Sequence, residues 1–378
     1  MKNWKIPLYK VFTDNDDLRA VSKVIKRGME WANGTEIQEF EQNLSKYLGT
    51  QHCVALNSGT SALHASLLAV NVTKGNDVIV PSFTFISTAN SSLMVNAKPK
   101  FVDIENETLG LNPQLIEKAI SKKTKAILPV HYAGLPCNIT AISQIAKRKK
   151  IILIEDAAES LGASIKKKKV GTFGDLSIFS FAGNKVLTTG EGGVVTTNSK
   201  KLYKKLKLIR SHGREERTNY FLSNELPTYV TLGYNWRMSS ITAALANSQL
   251  DKLEKLIKMR RKNAKILSSK LRKFSQIIIP TEPNSYRHVY QLYSIRLTNS
   301  KLRDGLMTFL SKKGIMSKIF FDPIHLSDFF KKQHYSKIKL PVTERISNQI
   351  LSLPMYPGLR SEEINYIYHS IGEYLERN

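Results

Sequence analysis

Two cysteines, Cys53 and Cys137, are all that the 378 residues contain, and they lie far apart. Their scarcity excludes a disulfide framework and a structural zinc site, and it fits a reducing compartment. No apolar run approaches the length that spans a bilayer, and Met1-Lys2-Asn3-Trp4-Lys5-Ile6-Pro7 has no apolar core of signal-peptide length. The expectation is a soluble, cytoplasmic chain with no membrane partner. Acidic residues are few: 31 Asp and Glu against 57 Lys and Arg leave a formal net charge of +26. Such a charge invites a nucleic-acid partner. The basic residues, however, are spread in pairs and along helix faces, with no homeodomain, zinc-finger or RNA-recognition pattern. No nucleic-acid partner is expected; a phosphate-bearing anionic substrate accounts for the charge as well. Internal repeats and low-complexity linkers are also missing. What is present is a hydrophobic fraction of 42%, enough for a sizeable core. The length suits one large domain plus a smaller one.

Short apolar runs alternate with amphipathic stretches through the first two thirds of the chain. Residues 53–56, 77–81, 100–103, 126–130, 151–154 and 194–197 read as strands. Residues 14–27, 36–48, 62–70, 138–147 and 200–210 read as helices, and Asn112-Pro113 opens another. This order signals βαβ units and a mostly parallel sheet, hence an α/β fold. Residues 215–229 are polar and irregular and read as a mobile loop, and a long helix over 241–267 follows. From about residue 280 the pattern changes to a strand (289–297), a helix (303–312), a short strand (319–321) and helices at 344–351 and 362–374. The expected organisation is a large domain over 1–255 and a smaller C-terminal α+β domain over 256–378.

In parallel sheets, sites form beyond the carboxyl ends of the strands. Asn57 to Ser61, Ser82 to Phe85 and His131 to Gly134 all fall at such ends. Gly59, Thr60 and Ser61 open a helix and offer N–H groups and hydroxyls to an anion; they also read as an ordinary helix cap. The strand over 151–154 delivers Glu155-Asp156 to the same edge, and a buried carboxylate there needs a partner. Asp156 suits a cationic partner such as a protonated pyridine nitrogen, or a structural role. Phe85 suits a flat cofactor ring or the core. Lys185 stands apart from lysine runs such as Lys166-Lys167-Lys168-Lys169, because apolar and small residues flank it. A lysine in such a pocket can attack a carbonyl; it also reads as a snorkelling side chain at a strand end.

Taken together, Asn57-Ser58-Gly59-Thr60-Ser61-Ala62-Leu63, Pro81-Ser82-Phe83-Thr84-Phe85, Val130-His131-Tyr132-Ala133-Gly134, Glu155-Asp156-Ala157-Ala158-Glu159-Ser160-Leu161-Gly162, the run from Phe179 to Gly193, Gly233-Tyr234-Asn235-Trp236-Arg237-Met238 and Leu353-Pro354-Met355-Tyr356-Pro357 carry a resemblance. The chain resembles, over nearly its whole length, the sugar aminotransferases of the DegT/DnrJ/EryC1/StrS family. These are fold-type-I enzymes that use pyridoxal 5′-phosphate (PLP). The resemblance implies that Lys185 holds PLP as a Schiff base and moves protons, and that Asp156 pairs with the pyridinium nitrogen. It implies that Phe85 stacks on the ring, that Gly59, Thr60 and Ser180 bind the phosphate, and that Asn235 reaches it from the partner subunit of a homodimer with shared active sites. Glu159 is placed near the ring hydroxyl, where the family often has glutamine; a carboxylate there needs a shared proton or a water. Arg237 is a candidate for the carboxylate of the amino donor, and His325 for the substrate. No metal is implied.

The implied reaction passes the amine of L-glutamate to PLP and then to a keto carbon of a nucleotide-linked sugar. C4 of a 4-keto-6-deoxyhexose on UDP, GDP or dTDP is the expected acceptor, with a 3-keto sugar open. Two alternatives stand beside it. One is a PLP- or pyridoxamine-dependent sugar dehydratase, in which histidine replaces the lysine. The other is a non-catalytic regulatory or binding protein on the same fold. The Asp156 and Lys185 pair favours the transferase.

Overall fold

The computed structural model describes residues 3–215, 224, 226–333 and 335–377. Along the chain the strands are β1 (His52–Leu56), β2 (Asp77–Pro81), β3 (Lys98–Val102), β4 (Thr124–Ile127), β5 (Ile152–Asp156), β6 (Ser164–Ile165), β7 (Lys168–Lys169), β8 (Leu176–Ser180), β9 (Gly193–Thr197), β10 (Ile277–Ile278), β11 (Tyr286–Arg287), β12 (Tyr293–Leu297) and β13 (Ile350–Leu353). The helices are α1 (Asn15–Arg27), α2 (Thr35–Leu48), α3 (Gly59–Ala69), α4 (Ser87–Met94), α5 (Pro113–Ala119), α6 (Ile139–Lys149), α7 (Lys200–Arg210), α8 (Ser240–Asp251), α9 (Leu253–Leu271), α10 (Ser300–Lys312), α11 (Asp328–Lys332), α12 (Pro341–Gln349) and α13 (Ser361–Leu375).

Seven strands make the central sheet, in the order β1-β9-β8-β5-β4-β2-β3. The neighbours from β8 through β5, β4 and β2 to β3 run parallel. Only β9 opposes its neighbours, pairing antiparallel with β1 and β8. Helices cover both faces, so most of the strands are buried on both sides rather than alternating between core and solvent. Side chains of β8 divide between two cores. Leu176 and Ile178 join Val54, Ile154 and Leu67 on one face, whereas Phe179 joins Phe40, Leu44 and Leu253 on the other. That split is the two-residue period of a strand made visible.

Local chemistry sets the helix ends. Asp14 caps α1 and forms a capping box with Asp17, and Gly28 closes the helix at φ 74°. Ser58 caps α3 through the Ser61 N–H. The sequence-predicted helix over 241–267 is in fact two. Lys252 interrupts it with ψ 2°, and its ammonium is held by Asp14 at 2.5 Å and Asp17 at 3.1 Å.

A second sheet, β10-β12-β13, packs with α9, α10 and α13 around Tyr293, Ile295, Leu306, Leu310 and Ile367. Ile6 joins this core and hydrogen-bonds Gly314 and Met316 through its backbone. The strand expected over 289–297 begins only at Tyr293. Val289 and Leu292 spend their N–H groups on the carbonyls of Gly134 and Ala133 instead. Residues 319–321 form no strand, since only Lys318 bridges to Ser352, and 350–351 belong to β13 rather than to the preceding helix. Most of the loop expected over 215–229, namely 216–223 and 225, lies outside the described residues. Among the described residues no helix is long and apolar enough to cross a membrane.

Candidate active site

A cleft of about 270 Å³ opens beyond the carboxyl ends of β5 and β8, at the starts of α3 and α4. β5 brings two adjacent carboxylates to this edge, and their surroundings differ. Glu155 is fully buried and saturated. It accepts the N–H groups of Gly171, Phe173 and Gly174, the Ser177 hydroxyl and the His131 imidazole. The Nδ1 of His131 accepts the Cys137 N–H, so Nε2 carries the proton that Glu155 receives. Asp156 points the other way, into the cleft. Among the described residues it receives the Thr88 hydroxyl at 2.8 Å and the Ala158 N–H at 3.2 Å. Burial pushes its carboxyl above the ordinary range despite these donors and the Lys185 charge. Its backbone is pinned on both sides: its N–H donates to Pro129 and its carbonyl accepts from His131. Glu155 is thus a structural hub, and Asp156 keeps acceptor capacity facing the open space.

Lys185 lines the same cleft in the turn after β8, with 14% of its side chain exposed. Its Nζ lies 3.7 Å from Glu159 Oε1. The other oxygen of Glu159 accepts the Ala133 N–H at 2.8 Å. Ala133 adopts φ 58°, a left-handed conformation that a residue with a Cβ seldom takes, and the turn it forms aims that N–H at the glutamate. Burial raises the Glu159 carboxyl above its usual range, with Lys185 acting in opposition.

The floor of the cleft nearest α3 is a cradle. The N–H groups of Gly59 and Thr60 stand in the first helical turn, where no helical acceptor exists. Across from them is Ser180, the last residue of β8. A Cβ on Gly59 would stand 2.8 Å from Ser180 Cβ, so only glycine leaves this space open. Thr60 Oγ1 pairs with Ser87 Oγ at 3.0 Å. Phe85 is 60% exposed and lines the cleft with Phe321, their ring centroids 6.4 Å apart. An apolar aromatic left open over a polar floor has unspent stacking surface.

Seven of the residues singled out in the sequence therefore meet: Gly59, Thr60, Phe85, Asp156, Glu159, Ser180 and Lys185. Three do not line this cleft. Asn235 is exposed on the stretch before α8, and Arg237 is half-buried with Nη1 3.3 Å from Ser211 Oγ. His325 is fully buried behind the turn that carries Phe85. Sequence reasoning missed Thr88, which looked like any helix-start hydroxyl, and Phe321, which lies far along the chain. It also missed the His131 to Glu155 contact: both residues stood inside quoted motifs, but nothing in the spacing pairs them.

The DegT/DnrJ/EryC1/StrS aminotransferase family model matches residues 12–372. The chain is 34% identical over 372 residues to the GDP-perosamine synthase of Vibrio cholerae, a match that covers 98% of this chain and 99% of that one. Among solved structures it superposes on Helicobacter pylori PseC, an aminotransferase involved in the biosynthesis of pseudoaminic acid, with TM-score 0.91 at 28% identity over 100% of both chains. It also superposes on the PLP-form of Spr1654 from Streptococcus pneumoniae, with TM-score 0.91 at 27% identity, covering 99% of this chain and 98% of that one.

Proposed function

The chain belongs to the DegT/DnrJ/EryC1/StrS aminotransferase family, and on that premise we propose that it uses PLP to pass the amine of L-glutamate to C4 of a nucleotide-linked 4-keto-6-deoxyhexose. The observation that carries this reading is the meeting of Lys185 and Asp156 in one cleft, beside a cradle that a Cβ would fill. These residues fit PLP group by group. Gly59, Thr60 and Ser180 suit the phosphate, Phe85 the ring face, Asp156 the ring nitrogen and Glu159 the ring hydroxyl.

When bound, PLP supplies a carbonyl carbon that takes up an amine and a ring that draws electrons from the neighbouring substrate carbon. The chain supplies the rest. Asp156 keeps a proton on the ring nitrogen, because a carboxylate with two donors and a free lone pair gains from a cationic neighbour. Lys185 Nζ would hold the group and would move protons to and from the substrate carbon. Glu159 and the Ala133 N–H fix the lysine's approach. Asn235, exposed, and Arg237, half-buried, do not line their own cleft, and Leu232 close by is 76% exposed. That placement supports a homodimer in which Asn235 serves the partner's cofactor phosphate, and Arg237 is assigned to the carboxylate of the donor.

The test is amine transfer by the purified, PLP-loaded protein. L-Glutamate is supplied with UDP-, GDP- and dTDP-linked 4-keto-6-deoxyhexoses, and 2-oxoglutarate and the aminated sugar are measured by mass. Transfer to one of the three supports the reading. Transfer to none of them, or only to a 3-keto sugar, overturns the assignment of the acceptor.

A further inference from the structure

The stretch from Lys318 to His325 ties the second sheet to the cleft. At one end the backbone of Lys318 exchanges hydrogen bonds with Ser352 of β13, at 3.1 and 2.8 Å. In the middle, Phe320 and Phe321 line the cleft, and the Tyr132 hydroxyl donates to the Phe320 carbonyl at 2.6 Å. At the other end is His325. Its Nδ1 is 2.7 Å from Ser82 Oγ, and its backbone N–H donates to the same oxygen at 3.0 Å. Ile324 adds a third link, from its N–H to the Ser82 carbonyl at 3.0 Å.

The far side of the imidazole fixes its tautomer. Nε2 lies 3.4 Å from Glu344 Oε1, which also takes the Leu340 N–H at 3.0 Å. A carboxylate only accepts, so Nε2 carries the proton. Nδ1 is then an acceptor, and the Ser82 hydroxyl donates to it. Burial holds the imidazole below its ordinary value, which agrees with a neutral ring. The order Ser82, His325, Glu344 imitates a nucleophilic relay. Ser82 and His325 are both fully buried and away from the cleft lining, so no substrate reaches them. What the relay holds is a turn. Three residues after Ser82 comes Phe85, and four residues before His325 comes Phe321; both rings line the cleft, tilted at 57° with centroids 6.4 Å apart.

We propose that His325 is a positioning residue that, through Ser82, sets Phe85 and Phe321 as the aromatic walls of the cleft. The proposal rests on the reading above that Phe85 packs on the PLP ring. It reassigns His325 from substrate contact to a bond that never meets substrate.

The test uses the full-length protein reconstituted with PLP, and it reads PLP affinity by absorbance titration together with the visible circular dichroism of the bound ring. Asparagine places an oxygen near Nδ1 and so keeps an acceptor for Ser82, whereas alanine keeps none. S82A and H325A are expected to weaken PLP binding roughly tenfold and to diminish the dichroism, while H325N stays within about twofold of wild type. The double variant S82A/H325A is expected to lose clearly less than the two single losses combined, because the Ser82 to Nδ1 bond is common to both, while the His325 N–H to Ser82 bond and the Nε2 to Glu344 contact belong to one change each. If S82A behaves as wild type while H325A is impaired, or if H325N is as damaged as H325A, the proposal is wrong. Should H325A fail to fold, S82A and H325N decide the matter. A wild-type protein that binds no PLP overturns the proposed function and this inference with it; a wild type that binds, with unaltered variants, sinks this inference alone.

Discussion

Glu159 holds Lys185 from one oxygen, Oε1 to Nζ at 3.7 Å, and the Ala133 N–H from the other, at 2.8 Å. The lysine lines the same cleft as Asp156, which ends β5. The glutamate is a counter-ion to Lys185 in the free protein, and on the proposed reading it would neighbour the ring of bound PLP.

The pair has a pH signature in the cofactor-free protein. Burial raises the carboxyls of both Asp156 and Glu159, so the folded chain holds their protons more tightly than the unfolded chain. From about pH 4 up to the raised values, the contribution of these two groups to stability falls as pH rises. E159Q removes one of the two groups. Its thermal midpoint should decline less steeply over that window and should not lie below that of wild type at neutral pH. A variant that matches wild type at pH 4 and melts well below it at neutral pH contradicts the assignment.

The cradle makes a steric prediction. G59A places a methyl group 2.8 Å from Ser180 Cβ, in the space assigned to the phosphate. PLP affinity should drop roughly tenfold or more, because a contact made in a preorganised site is displaced rather than merely weakened. Pyridoxal without phosphate should bind wild type and variant alike. Equal loss for both compounds would place the phosphate elsewhere.

Asn235 tests whether the site is shared. K185A and N235A should each be deficient alone. A hybrid dimer carrying one of each has one intact site if Asn235 serves the partner's cleft, and none if it serves its own. Recovery of activity on mixing and refolding, or on co-expression, supports the shared site; a hybrid as inactive as K185A contradicts it.

His288 governs part of the acid limit. It is buried, its Nδ1 accepts the Tyr290 N–H at 3.0 Å, and burial pulls its value from 6.5 down to about 3. The folded state thus disfavours the charged ring, and its contribution is present above pH 6.5 and lost as pH falls toward 3. H288N keeps an acceptor for Tyr290 without a titrating group. Denaturant midpoints between pH 6.5 and 4 should fall less in H288N than in wild type.

Much of this architecture is legible before any coordinates, for a physical reason. β1, β5 and β8 are short, buried, mainly apolar strands that give way to polar residues at their carboxyl ends, as strands buried on both faces tend to. Those endings bring Asp156, Ser180 and, just past β1, Gly59 to one edge, so the cleft could be anticipated from where the runs stop. Pairings between distant segments are different. The Ser82 to His325 bond joins residues 243 apart, and the Tyr132 to Phe320 bond residues 188 apart, with no local pattern to announce either. His325 was therefore expected near substrate and is found in the core. The break at Lys252 is likewise invisible in the helical periodicity, because a distant pair, Asp14 and Asp17, holds the lysine there.

The most direct test of the central claim is the absorbance spectrum of purified, PLP-loaded protein before and after L-glutamate is added. The account predicts a band near the visible edge that shifts to shorter wavelength with glutamate in wild type and is lost in K185A. A colourless protein that stays colourless with added PLP, or a yellow one that L-glutamate leaves unchanged, contradicts it.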